Sequence, residues 1–294
     1  MNTPAETTQF TPIAAETDLG AVRLTVSDIA RSRAFYERTI GLASFDQPGG
    51  GISLGVDPAH PMIELVGDSP APVLNHRATG LYHLAILLPS RRDLGFALAR
   101  IAETPWPLDG ASDHLVSEAL YLSDPDGIGI EIYRDRPRDQ WRRDGDQLQM
   151  ATEPLDLDGV IGEIQGAQEL ERRAPAGTKI GHVHLQVADL SATEDFYHGV
   201  LGFDVMVRLY PGALFFSAGG YHHHIGTNVW HSRGASPAEP GAVGLRSFEI
   251  VLPSTAERDR VLDRVREAGI EMTHGDAGVM IRDPSGNGVE LRTA

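Results

Sequence analysis

The chain holds twelve histidines and no cysteine. That excludes disulfides, zinc–thiolate sites, iron–sulfur clusters and cysteine nucleophiles together. Imidazole and carboxylate remain as the groups able to bind a metal or move a proton. In the stretch HVHLQV, His182 and His184 alternate, so on a strand they share a face. In Tyr221-His222-His223-His224, His222 and His224 share one face and His223 takes the other. A single strand histidine is more often a half-buried, hydrogen-bonded residue than a ligand, so spacing alone assigns no role. Glu131 is harder to dismiss. It lies in a stretch with Ile128, Ile130 and Ile132, where a buried carboxylate must be paired or bound to a metal. Glu290, between Val289 and Leu291, raises the same question, with a salt bridge to an arginine such as Arg246 as the plain answer. His114 precedes the strand carrying Tyr121 and is placed at a pocket mouth. Tyr121 is either a pocket hydroxyl or a residue packing the sheet.

These residues sit on a repeated framework. The segments LGAVRLTVSDIARSRAFYERTIGL at 19–42 and IGHVHLQVADLSATEDFYHGVLGF at 180–203 align. Asp28, Tyr36 and Gly41 match Asp189, Tyr197 and Gly202, each 161 positions later. Alternating Val22, Leu24 and Val26 predict a strand. Asp28 suits the N-cap of a helix of about three turns, and Gly41 suits its left-handed exit. A second pair, LYHLAILLPSRRDLGFALARIA at 81–102 and LRSFEIVLPSTAERDRVLDRVR at 245–266, reads as strand, Pro-Ser break and helix, with Ser90 and Ser254 as caps. Both continue to an Asp-Pro-x-Gly turn with a glutamate seven residues after its Asp: Asp124 to Glu131, and Asp283 to Glu290. The prediction is an α+β fold of four βαβββ modules starting near residues 19, 81, 180 and 245. They divide into domains at 16–138 and 179–294, joined by a linker at 139–178.

A formal net charge of -16 gives no basic footprint for a phosphate backbone, so nucleic acid is not an expected partner. No apolar run is long enough to span a bilayer, and the first residues do not read as a signal peptide. A cytoplasmic, non-membrane protein is expected. A homo-oligomer is compatible with the sequence, but no segment specifies one.

Paired βαβββ modules, together with GLYHLAILLPSR, SEALYLSDPDGIGIEIYRDRP, IGHVHLQVADL and GGYHHHIGTNVW, resemble the vicinal oxygen chelate superfamily. That superfamily holds glyoxalase I, the bleomycin and fosfomycin resistance proteins and the extradiol dioxygenases. The strings are most similar to its bacterial catechol-2,3-dioxygenase branch. The resemblance implies cupped mixed sheets and two ligand positions per module, one in the first strand and one in the last. Here the first-strand positions hold Ala21, His83, His182 and Ser247. The last-strand positions hold Glu131 and Glu290, with Glu64 available in the first module and His222 to His224 in the third. A two-histidine, one-carboxylate site is then His83, Glu131 and His182. It requires the second and third modules to share one sheet and the first and fourth the other. The competing site is His182 and Glu290 with His224 or His222, in the last two modules.

The family tyrosine stands ten residues before the ligand glutamate, where this chain has Tyr121. The family histidine falls on His223, with His222 or His224 able to serve instead. His184, His222, His224 and His114 are expected to line the pocket or support the ligands. The function implied is an Fe(II)-dependent extradiol dioxygenase, with Mn(II) as a substitute ion. It would open a catechol-like aromatic diol with O2, as in aromatic hydrocarbon catabolism. Two other classes fit the same scaffold. One is a glyoxalase-like isomerase or lyase, for which a fourth ligand such as His224 would speak. The other is a metal-free binding protein of the resistance type.

Overall fold

The computed structural model describes residues 10–67, 71–145, 147–168, 170–275 and 278–294. The first module comprises β1 (Asp18–Val26), α1 (Ile29–Phe35), β2 (Ala43–Asp46), β3 (Ile52–Gly55) and β4 (Ile63–Gly67). The second comprises β5 (Gly80–Leu88), α2 (Arg91–Glu103), β6 (Gly110–Asp113), β7 (Ser117–Ser123) and β8 (Gly129–Asp135). The connection carries β9 (Arg143–Asp144), β10 (Gln147–Leu148), β11 (Glu153–Pro154) and the short helix α3 (Leu157–Gly162). The third module is β12 (Lys179–Gln186), α4 (Leu190–Glu194), β13 (Asp204–Val207), β14 (Ala213–Ser217) and β15 (Ile225–Asn228). The fourth is β16 (Gly244–Leu252), α5 (Thr255–Glu267), β17 (Thr273–His274), β18 (Val279–Arg282) and β19 (Gly288–Thr293).

The local signals act as their chemistry requires. Asp28, Ser90, Asp189 and Ser254 each cap a helix by accepting a backbone N–H three residues on. Gly41 and Gly202 leave their helices with φ of 89° and 90°, a conformation that a Cβ disfavours. Both helices finish through a π turn before that exit. No helix among the described residues is long and apolar enough to cross a membrane.

The modules combine across the two halves. One sheet runs β17-β18-β19-β16-β1-β4-β3-β2, joining the fourth module to the first. The other runs β11-β6-β7-β8-β5-β12-β15-β14-β13, joining the second to the third. Ties within each half run the other way. Tyr36 Oη donates to Asp124 Oδ2 at 3.3 Å, and Tyr197 Oη donates to Asp283 Oδ2 at 3.1 Å. The repeated Tyr and Asp therefore fasten each half's modules to one another, while the sheets fasten the halves.

Burial pushes the Asp124 carboxyl up to about 6, against the N–H groups of Ile128 and Asp126 that favour its ion. The folded chain thus holds this proton more tightly than the unfolded chain. The contribution to stability falls as pH rises from the ordinary 3.8 and is gone above about 6, a change of up to about 3 kcal/mol. Asp124→Asn is expected to remove that slope. In urea titrations, the variant should gain about 1–3 kcal/mol on the parent between pH 4 and pH 7.

Candidate metal centre

The centre of the second-and-third-module sheet is built from four adjacent strands. Tyr121 on β7 is in register with Glu131 on β8, and Glu131 with Ala85 on β5. Ala85 in turn is in register with His182 on β12, one step along from the pair His83 and His184. Residues in register share a face. The methyl of Ala85 leaves a gap across which Glu131 and His182 meet. Two bulges shape the seam between β5 and β12, at Tyr82 and at Gly181. A Cβ at Gly181 would fall 1.8 Å from Tyr133 Oη, so that close approach requires glycine. Gly226, opposite His184, likewise makes room: a Cβ there would touch the ring at 3.1 Å.

Three donor atoms converge on this face. His83 Nε2 lies 3.0 Å from Glu131 Oε2, His182 Nε2 lies 3.1 Å from the same oxygen, and the two nitrogens are 3.3 Å apart. Ligands about 2.1 Å from an ion stand about 3.0 Å apart in an octahedron and about 3.4 Å apart in a tetrahedron. The triangle therefore has the size of one face of a coordination polyhedron. All three residues are buried, and they form the cluster of potential ligands found among the described residues. Burial works against the Glu131 charge, but the His182 and His83 rings outweigh it and hold the carboxyl well below its usual range. Burial also takes His182 down to about 4, the neutral form a metal requires. The donor set suits a divalent ion of the nitrogen-and-oxygen-binding class.

The cluster lies at the wall of a cavity of about 530 Å³. Phe215, Tyr210 and Trp230 give it an aromatic side, with Leu74 and Leu81 adding aliphatic surface. Tyr121 is half-buried there, and desolvation of its ring, with Glu131 nearby, raises its hydroxyl well above the ordinary value. His114 faces the same cavity. Its Nδ1 lies 2.7 Å from the Ala151 carbonyl, which can only accept, so Nδ1 carries the proton. In the neutral ring Nε2 then accepts from Tyr121 Oη at 2.6 Å. Leu115, beside it, has φ of 68°, the one positive value at a non-glycine among the described residues. Backbone strain is thus placed next to His114, where the Leu115 N–H donates to Asp113 Oδ1 at 2.9 Å.

His184 and His223 both line the cavity, whereas His222 and His224 do not. His184 Nε2 is buried without a protein partner, and burial holds that ring well below its usual range. The His223 ring packs on His182 with centroids 4.1 Å apart, and burial, then His182 and His222, hold it neutral. His224 Nδ1 is bonded by Ser217 Oγ at 3.1 Å and Ala218 N–H at 3.2 Å. Burial takes His224 down to about 4.

The set His182, His224 and Glu290 is not assembled. Glu290 lies in the other sheet, where Arg23 Nη1 approaches its Oε2 to 3.6 Å. Its arginine is thus Arg23, from the strand beyond β16, instead of the suggested Arg246. Glu64 is also taken by Arg23, at 2.7 Å. In that sheet Glu249 stands where Ala85 stands in this one. It accepts the Ala21 N–H at 3.0 Å and pairs with Arg292 at 2.5 Å. Ion pairs fill the equivalent of the open face.

Several cavity residues carry no signal in the sequence. Met150, Ala151 and Thr152 come from the connection, brought in as β11 pairs with β6. Tyr82 reaches the cavity beside His83 because the bulge breaks strict alternation. Arg91, at the start of α2, reaches buried Glu118 at 2.9 Å, alongside Arg134 and Arg136.

The fold and this face define the Glyoxalase/Bleomycin resistance protein/Dioxygenase superfamily. The chain belongs to it, matching the family model over residues 18–132 and 179–291. A catechol-2,3-dioxygenase of Bacillus subtilis (strain 168) is 44% identical over 279 residues, covering 94% of this chain and 96% of its own. Solved structures share the fold at low identity. A candidate dioxygenase from Bacillus subtilis subsp. subtilis str. 168 aligns with a TM-score of 0.65 at 13% identity, over 96% of this chain and 86% of its own. Glyoxalase I from Zea mays aligns with a TM-score of 0.56 at 15% identity, over 94% and 92%.

Proposed function

We propose that this protein is an Fe(II)-dependent extradiol dioxygenase that opens a catechol-like diol with O2 in the breakdown of aromatic compounds. The observation that carries this reading is the convergence of His83 Nε2, His182 Nε2 and Glu131 Oε2 within 3.3 Å on the wall of an aromatic-sided cavity. The name of the Bacillus subtilis relative favours the same reaction. Three ligands on one face leave the opposite positions for substrate, whereas a glyoxalase-type site would take a fourth. His224, the candidate for that place, is turned to Ser217 and Ala218.

His83, His182 and Glu131 would hold the iron, which supplies Lewis acidity to both diol oxygens and a redox partner for O2. The aromatic side stacks the diol ring and excludes water. His223 accepts a diol proton, since burial keeps its ring neutral. Tyr121 keeps its own proton, donating it in the hydrogen bond to His114, and its hydroxyl oxygen accepts a hydrogen bond from a diol hydroxyl. The ring opens next to the diol with both oxygen atoms of O2 incorporated.

The test is anaerobic loading with Fe(II), then catechol and O2, following oxygen uptake and the absorbance of a ring-opened product. One O2 consumed per catechol is expected. Full iron retention without uptake across catechol and its alkyl derivatives would overturn the reading. Tyr121→Phe is expected to keep iron content and lower kcat about 10–100-fold. Unchanged turnover would remove Tyr121 from the chemistry.

A further inference from the structure

Asp135 lies four residues beyond Glu131 on β8, so both point to one face of the strand. Its Oδ1 is 2.9 Å from His222 Nε2, and His222 Nδ1 is 2.8 Å from His223 Nδ1. The carboxylate can only accept, so His222 carries its proton on Nε2. In the neutral ring Nδ1 is then a lone pair, and its contact with His223 is a hydrogen bond only if His223 donates from Nδ1. The His223 nitrogen left without a proton is Nε2, on a ring that lines the cavity.

The chain of groups is held from several sides. His222 is fully buried, between Trp141 and Tyr221 with ring centroids at 5.4 and 4.1 Å. Tyr221 Oη donates to the same Asp135 oxygen at 3.2 Å and accepts from Tyr133 Oη at 2.7 Å. Each donor has one acceptor in sequence, ending at Asp135. Among the described residues, the His222 ring is the hydrogen-bond partner given for His223, and it fixes the His223 tautomer.

We propose that Asp135, acting through His222, is a positioning residue that sets the tautomer of His223 and keeps Nε2 free to accept the diol proton. This rests on the reading of His223 as the base. When Nε2 takes the proton from the diol hydroxyl, the Nδ1–H bond to His222 stays in place. The positive charge formed on His223 faces a chain that ends in a carboxylate. The proton leaves again with the ring-opened product.

The test pairs kinetics of the iron-loaded enzyme with 15N spectra of histidine-labelled protein loaded with diamagnetic Zn(II), the His223 signals being assigned with His223→Gln. The parent should show His223 protonated at Nδ1. In Asp135→Asn and His222→Phe that signal should shift towards the Nε2-protonated form. Asp135→Asn should lower kcat on the order of 10–100-fold with KM and iron content unchanged, and Asp135→Glu should recover part of the loss. The double variant should be little worse than either single one, because both act through one path. An Nε2-protonated His223 in the parent, or spectra unaltered in both variants, would overturn the inference, as would full kcat in Asp135→Asn. If His223→Gln itself turns over normally, the reading of His223 as base falls, and the spectra still decide what sets its tautomer.

Discussion

Glu131→Ala is expected to yield a folded protein that retains no iron through dialysis. The variant loses the one anionic donor of the cluster, and two neutral imidazoles hold a divalent ion far less well. A loss of more than about 100-fold in affinity is expected, beyond what removing a mere supporting contact costs. The fold should tolerate the change. Burial takes His182 down to about 4, so that ring is not left as an uncompensated buried cation when the carboxylate goes. The unfolding free energy should move by less than about 3 kcal/mol. Two measurements separate metal loss from misfolding: metal content after dialysis, and the rise in melting temperature caused by Fe(II) or Mn(II). That rise should appear in the parent and vanish in the variant. His83→Ala should behave alike, and full retention of iron in both would move the metal elsewhere.

His223→Gln is expected to cost more in kcat than any other change that spares the ligands, on the order of 10²–10⁴-fold. Glutamine can still hydrogen-bond but cannot take a proton at neutral pH. Iron content and KM should stay near the parent values, because the ring packs on His182 without occupying the ligand triangle. The contrast within the run is informative. His224→Gln should leave kcat unaltered, since that ring is bonded to Ser217 and Ala218 away from the cavity. Equal losses from both substitutions would point to general damage to the segment leading into β15 and remove His223 as the base.

Much of the framework is legible because each local signal has a short-range cause. Caps at Asp28 and Ser90, glycine exits at Gly41 and Gly202, and the turns at Asp124 and Asp283 depend on near neighbours in the chain. The crossed pairing of modules is legible for a different reason. Ala21 and Ser247 cannot match His83 and His182, so the histidines come together only if the second module pairs with the third. What is not legible depends on register between distant strands. Nothing near Ala85 announces that a small residue must stand between Glu131 and His182. A bulge at Tyr82 defeats period-two alternation, and Ala151 enters from the connection through the pairing of β11 with β6. Asp135 lies at a strand end, where an acidic residue is unremarkable until His222 is found beside it. The triple histidine shows the converse: alternation separates His223 from its neighbours, but only packing decides which side is the cavity.

The exchange of modules between the halves has a consequence for how the chain is made. Sheet partners lie far apart in sequence, so the fold has the long-range pairing that slows folding. During synthesis, His83 and Glu131 emerge well before His182, and β5 has no β12 to pair with until the third module leaves the ribosome. The nascent first half exposes two sheet edges, those of β1 and β5, that only the second half can cover. The triangle of His83, Glu131 and His182 closes at the same step that seals those edges, so under the proposed function uptake of a metal would mark a chain that has finished folding.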